Sequence, residues 1–304
     1  MDTIVITGGS GFLGRKLTDY LSKNYKIIHI SRSGKSYKNI PCYKWDPDNK
    51  NISEEGKKAI QNADAIIHLA GANIAEKKWD ENYKNIIIQS RVNSTTFLCE
   101  ILNHNNLDKR PEVAILASAI GYYGDRKDEI LTETSPPGKG FLAETGIQWE
   151  QASINLHPEI RKVQIRIGFV LDKEEGGFPK MIMPIKFFLG AIPGSGKQYV
   201  SWIHIEDLLR IFEYFIVNQT ANGIYNGTAP NPVTLEELMK KSAHYLQRPL
   251  LLPNIPDFVI QLLMGEMSEL ILSSTRVIPD RLNKEGFEFR YKTIDYALKN
   301  LLTT

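Results

Sequence analysis

Over its first two thirds the chain alternates short, β-branched apolar runs with longer segments of helical period. This patterning predicts strands over 3–7, 26–31, 65–69, 113–117 and 163–170. Most of these runs are continuously apolar rather than alternating, as in strands covered on both faces of a parallel sheet. Helices are predicted over 11–23, 53–61, 81–104 and 141–155, the third carrying Ile86, Arg91, Phe97 and Ile101 and ending at the polar His104-Asn105-Asn106. The strand-to-strand spacing of about 30 residues argues for right-handed βαβ units in a doubly wound α/β sheet.

The texture changes after Val170. Glycine- and proline-rich segments at 176–179 and 190–196 bracket an apolar helical stretch. A strand over 199–203, a helix over 206–217 and a strand near 224–226 follow. From Thr234 the pattern reads as several helices broken by Pro249, Pro253, Pro256 and Pro279. The simplest division is a nucleotide-binding domain over 1–172, completed by 200–228, and a smaller, mostly helical substrate lobe over 173–304.

Composition narrows the class. The chain has 304 residues, 42% hydrophobic and 24% charged, which excludes disorder, collagen and coiled coil as the main state. With 37 basic and 35 acidic side chains the net charge is +2, so no long-range field calls for nucleic acid or an acidic membrane. The lysine pairs at 57–58, 77–78 and 240–241 are scattered and read as solvated surface. Cys42 and Cys99 stand alone, which excludes a disulfide framework and a cysteine-rich zinc site and fits a reducing compartment. No apolar stretch reaches the ~18 residues of a membrane span, and the first strand begins at Thr3, leaving no room for a signal segment. The expectation is a soluble, cytoplasmic protein with a small-molecule substrate; nothing in these features sets an oligomeric state.

The strongest chemical signal is Thr7-Gly8-Gly9-Ser10-Gly11-Phe12-Leu13-Gly14, which follows the first strand and opens the first helix. Read on Gly8, Gly11 and Gly14 it is a dinucleotide loop: one glycine for a tight turn, one where backbone approaches a pyrophosphate, one for helix–strand packing. The helix N-terminus then offers free N–H donors to phosphate. The second strand ends at Ser31-Arg32, where an NAD-selective site carries a carboxylate for the ribose 2′-OH. A guanidinium there would hold a 2′-phosphate, so the expected cofactor is NADP(H). Ala70-Gly71, ending His68-Leu69-Ala70-Gly71, is small enough to let the adenosine lie against backbone.

These motifs resemble the extended short-chain dehydrogenase/reductase superfamily of nucleotide-sugar epimerases and dehydratases. TGGSGFLG is similar to its cofactor loop, and HLAG to its fourth-strand motif. Ser118-Ala119-Ile120-Gly121-Tyr122-Tyr123-Gly124 is similar to its SSxxxYG segment. The match narrows to an atypical epimerase-like family with a distinctive C-terminal helical module. It is carried by Trp149-Glu150, Arg166-Ile167-Gly168, Trp202-Ile203-His204, Arg248-Pro249, Leu263-Met264-Gly265-Glu266 and Arg276-Val277-Ile278-Pro279. The resemblance implies a Rossmann-type fold with a cleft against the helical lobe. It also implies an NADP(H) site lined by Ser31, Arg32, Leu69, Ala70, Arg91 and Val170.

The departure is catalytic. The superfamily uses Ser/Thr with a YxxxK pair on a helix, the lysine lowering the tyrosine pKa. Here the helix reads Gly140-Phe141-Leu142-Ala143-Glu144-Thr145-Gly146, and the Ser/Thr position is Ala119. The literal match Tyr123-Gly124-Asp125-Arg126-Lys127 falls on a Gly-Asp turn and reads as coincidence. Ser118 and Tyr123 are the candidate catalytic residues, each equally readable as loop packing; Tyr122 and His204 are lesser candidates, the histidine reading better as structural. Two functions follow: an NADP(H)-dependent epimerase-like oxidoreductase on a small molecule, such as a nucleotide sugar, or an NADP(H)-binding sensor without turnover. Ala191–Lys197 lacks the hydroxyl residue and helix of a P-loop, and the six histidines have no metal-ligand spacing. Phe187-Phe188-Leu189 and Leu262-Leu263-Met264 read as core or substrate-pocket wall.

Overall fold

The computed structural model describes residues 1–104 and 109–303; Asn105 and Asn106, named above as the end of the third helix, lie outside them. The strands are β1 (Thr3–Thr7), β2 (Lys26–Ser31), β3 (Cys42–Asp46), β4 (Asn51–Ile52), β5 (Ala65–His68), β6 (Val113–Ala119), β7 (Ile130–Leu131), β8 (Arg161–Ile167), β9 (Phe169–Leu171), β10 (Tyr199–Val200), β11 (Trp202–His204), β12 (Gly223–Gly227), β13 (Val233–Thr234) and β14 (Arg276–Val277). The α-helices are α1 (Phe12–Leu21), α2 (Glu54–Gln61), α3 (Glu81–Leu102), α4 (Phe141–Gln151), α5 (Gly177–Lys186), α6 (Ile205–Val217), α7 (Leu235–Tyr245), α8 (Asp257–Met264), α9 (Glu269–Leu272), α10 (Asp280–Lys284) and α11 (Ile294–Leu302).

One eight-stranded sheet, in the order β12-β8-β6-β5-β1-β2-β3-β4, forms the centre. All neighbours are parallel except the β3–β4 pair. This is the Rossmann-type doubly wound sheet expected. Its central strands β1, β5 and β6 have no polar face because helices cover both sides: Ile4, Ile6, Ile67, Ile115 and, from β8, Val163 belong to one core, Val5, Ile66, Ala114 and Leu116 to the other. The chain runs outward from β1 to β4 and then returns to β5 on the other side of β1. The carboxyl ends of β1 and β5 therefore flank the switch point, where such sheets bind ligands.

Two strands read from the sequence as continuous are each divided. The 163–170 run breaks at Gly168, where a Cβ would lie 2.5 Å from the Ser201 carbonyl oxygen. β8 stays in the main sheet, and β9 leaves it to pair with β11. The 199–203 run breaks at buried Ser201, whose hydroxyl donates to Thr275 O at 2.7 Å and accepts from Val277 N at 2.7 Å. β12 lies at the sheet edge beside β8, and β14 pairs with β7, so the C-terminal module is tied to the loop that follows β6.

His68 shows how a polar residue is accommodated in a fully buried strand. Its ring lies between the hydroxyls of Thr7 (2.7 Å from Nδ1) and Thr95 (3.0 Å from Nε2). Burial pushes its pKa down to about 3. Unfolded, the ring takes a proton below its usual 6.5, so between there and about pH 3 the unfolded chain binds one more proton. Stability should then fall with acid by about 1.4 kcal/mol per pH unit from this group. His68→Asn should flatten the acid limb of stability measured by denaturant titration at successive pH; an unchanged slope would remove His68 from that role.

Candidate functional site

The glycine loop bridges β1 and α1. Gly8 has φ +73°, and a Cβ there would meet the Leu69 carbonyl carbon at 3.0 Å. Gly14 lies so close to the loop that a Cβ would stand 2.5 Å from Gly8 O. Gly11, the N-cap of α1, would put its Cβ near Gly8 O alone, at 3.3 Å. Turn, packing and open approach thus fall on Gly8, Gly14 and Gly11 respectively. Helices α2, α3, α6 and α7 are capped by the side chains of Ser53, Asp80, His204 and Thr234, with carboxylates in their first turns. α1 has neither a side-chain cap nor an acidic first turn. Its leading N–H groups lack intrahelical acceptors and suit an anion.

Around that loop, Ser10 is exposed and its carbonyl accepts from Arg15, which also pairs with Glu175. Phe12 and Leu13 are half-buried against the core, and Phe12 lies under the Gly176 backbone. Ser31 is buried and accepts from Gly34 N at 3.1 Å, which turns it toward its own loop. Arg32 is exposed and forms no ion pair among the described residues. Arg32, Ala70 and Gly71 share a pocket with Trp45, Pro47, Asp48, Ser90 and Ser94. β3 and its Trp45-Asp46-Pro47-Asp48 continuation were missed in the sequence. Cys42-Tyr43-Lys44-Trp45-Asp46 is short and mixed, and only its position beside β2 makes it a strand.

Gly71 also packs against a side chain of α3. A Cβ there would stand 3.3 Å from the Arg91 side chain, a tight contact. Arg91 donates to Ile87 O at 2.9 Å and stacks over Trp149, 4.9 Å from the ring centre. It forms no ion pair among the described residues, and burial pulls its pKa down to about 10. A partly desolvated cation without a counter-charge favours an anionic ligand. Val170, half-buried in β9, pairs with Ile203 of β11.

The candidate catalytic residues Ser118 and Tyr123 are brought together, but inside the protein. Ser118 donates to Glu150 Oε1 at 2.7 Å, and Arg166 binds both Glu150 oxygens at 2.7 Å. Arg166 also donates to the Tyr123 hydroxyl at 2.9 Å, which lies 2.7 Å from Asn226 Oδ1. Tyr123 has no solvent exposure, Ser118 is 2% exposed, and burial pushes the tyrosine pKa up to about 12. Lys127, the other half of the literal YxxxK, is exposed, has φ +56° and pairs with Asp125 at 2.7 Å. The i,i+4 pair that α4 turns toward the 120–123 turn is Leu142 and Gly146: a Gly121 Cβ would touch Leu142 at 3.1 Å, and a Gly146 Cβ would touch Tyr122 Cα at 3.1 Å. His204 caps α6, accepting from Glu206 N at 3.1 Å, and stacks on Tyr291. Burial lowers its pKa. Tyr122 differs: its ring lies 3.4 Å from the Arg166 guanidinium, and its hydroxyl makes no hydrogen bond among the described residues.

The residues present fit a dinucleotide phosphate: an uncapped helix end, an open Gly11, and unpaired Arg32 and Arg91 around one switch point. Fold and site together define an extended short-chain dehydrogenase/reductase. The chain belongs to the epimerase family of that class. Residues 4–141 match the NAD dependent epimerase/dehydratase family, and residues 255–301 match a domain of unknown function, DUF1731. The chain is 36% identical to the chloroplastic epimerase family protein SDR39U1 homolog of Arabidopsis thaliana, covering 99% of this chain and 86% of that one. It is 34% identical to epimerase family protein YfhF of Bacillus subtilis (strain 168), over 98% and 97% of the two chains. The crystal structure of human epimerase family protein SDR39U1 (isoform 2) with NADPH superposes with a TM-score of 0.86 at 26% identity, covering 99% of both chains.

Proposed function

We propose that this chain binds NADP(H) at the β1/β5 switch point and holds it without the proton relay of the superfamily. α1 would take the pyrophosphate, Arg32 the 2′-phosphate, and Arg91 a further negative group. The cofactor, when bound, supplies hydride chemistry. The protein's own contribution is binding and orientation. The observation that carries this reading is the α4 face: Leu142 and Gly146 have no titratable group, while Ser118 and Tyr123 are engaged in a buried ion-pair network. A nucleotide-responsive regulatory protein is therefore favoured over an epimerase. The NADPH-bound human relative supports the cofactor assignment.

A second reading rests on Tyr122, the one phenol at this turn with an uncommitted hydroxyl. An oxidoreductase built on this chain would use Tyr122 as proton donor to a carbonyl substrate. One experiment separates the two. The protein with NADPH is mixed with carbonyl compounds and nucleotide sugars, and loss of nicotinamide absorbance is followed. Tight NADPH binding without oxidation is expected. Oxidation that Tyr122→Phe abolishes would replace the first reading by the second.

A further inference from the structure

The Phe187-Phe188-Leu189 segment is not core. Phe187 is 68%, Phe188 49% and Leu189 62% exposed. Leu262 and Leu263 are exposed as well, because α8 buries Ile260 alone. α5 shows why the first segment is outside. Phe178, Ile182 and Ile185 take the buried face of the helix, so Lys180, Met183, Pro184 and Phe187 fall on the opposite stripe. Phe188 then turns with φ +62° and sends the chain back beneath the tip.

That tip has a second apolar segment beside it. Gly190 packs on Leu250, Ile255 N donates to Ile192 O at 2.9 Å, and Gly194 N donates to Ile255 O at 2.8 Å. This pairing runs the 248–255 segment alongside 188–193, and Leu251 and Leu252 on it are exposed as well. The Arg248 guanidinium lies 4.8 Å from the Phe188 ring centre. Single exposed leucines need no explanation, but a contiguous patch of aromatic and aliphatic side chains does.

Charge decides the occupant. Residues 177–205 and 246–256 contain no Asp or Glu. Their cations Lys180, Lys186, Lys197 and Arg248 are exposed and form no ion pair among the described residues. The bordering carboxylates include Glu174 and Glu175, paired with Lys16 and Arg15, Glu236, paired with Lys240 at 2.6 Å, and Asp128 and Asp257, which share a groove with Lys197. A second copy docked on this face would set its four cations against the same four, so self-association is disfavoured. Aromatic and leucine side chains on a projecting tip, ringed by free Lys and Arg, match a bilayer surface with anionic headgroups.

We propose that the 183–189 tip and the adjoining 250–252 segment dock this protein onto an anionic lipid surface. The net charge of +2 conceals this local asymmetry. The contact is peripheral: no helix among the described residues is long and apolar enough to cross a membrane. Docking there leaves the glycine loop and the β1/β5 crevice to the nucleotide.

The test is co-sedimentation of the full chain with vesicles of phosphatidylcholine containing about 30% phosphatidylserine, against phosphatidylcholine alone. Binding to the mixed vesicles should be at least about tenfold tighter and should weaken steeply between about 0.1 M and 1 M salt. Lys186→Ala and Arg248→Ala should each reduce it about fivefold. The Phe187→Ser/Leu189→Ser double variant should reduce it by roughly tenfold or more. Both substituted side chains are solvent-facing, so the thermal transition of the double variant should match the parent. Equal binding to the two vesicle types, no binding to either, or full binding by the double variant would overturn the proposal. So would a concentration-dependent dimer, seen by light scattering, that the double variant dissolves.

Discussion

Replacing Arg166 by leucine should cost about 3–5 kcal/mol of folding stability, because it strands a buried carboxylate. Arg166 is 1% exposed and holds Glu150 through two hydrogen bonds of 2.7 Å in fork geometry. Burial works against its charge, and the Glu150 carboxylate more than offsets this, so the guanidinium stays charged. Removal leaves Glu150 with Ser118 as its remaining side-chain donor among the described residues and takes from Tyr123 the N–H its hydroxyl accepts. Arg166→Lys should fall between the two, since an ammonium is a point charge and cannot make the bidentate contact. Urea unfolding of the three proteins measures this directly. A loss under about 1 kcal/mol for leucine would mean that the pair contributes no more than an exposed one.

Arg32→Ala should weaken NADPH binding by roughly 10- to 150-fold, the range for a lost hydrogen bond to a charged group of about 1.5–3 kcal/mol. NADH binding should change little, because NADH has no 2′-phosphate. On the proposed reading the discrimination rests on Arg32, which lines this corner of the pocket. Ser31, its neighbour in the motif, is turned inward to Gly34 N, and Asp48 is held by Asn93 Nδ2 at 2.8 Å. Calorimetric titration with both nucleotides checks it. Equal losses for the two would move Arg32 away from the 2′-phosphate.

The sheet and the glycine loop were readable because their causes are local. β1, β2 and β5 are continuous apolar runs, and an apolar run after which glycine, helix and a further apolar run follow has few other folds open to it. β3 was not readable, since Tyr43 and Lys44 are half-buried or exposed and pairing with β2 alone makes the strand. The breaks at Gly168 and Ser201 were hidden for a related reason: each is set by a partner more than 30 residues away in sequence. Gly71 was read as room for the cofactor, and only the fold shows Arg91 packed beside it. Ser118 and Tyr123 could be named as a pair from their motif, yet their burial depends on Glu150 and Arg166 arriving from other elements. Phe187-Phe188-Leu189 was read as core or substrate-pocket wall because three consecutive apolar residues usually pack against something.

The close approach of α4 to the 120–123 turn also bears on how this lineage could change again. Leu142 could become tyrosine by a single replacement, but Gly146 could not simply become lysine. Any side chain there begins 3.1 Å from Tyr122 Cα, so the turn or the helix would have to give by a few tenths of an ångström. On the proposed reading, a tyrosine–lysine pair at 142 and 146 would need a small backbone adjustment as well as two new side chains.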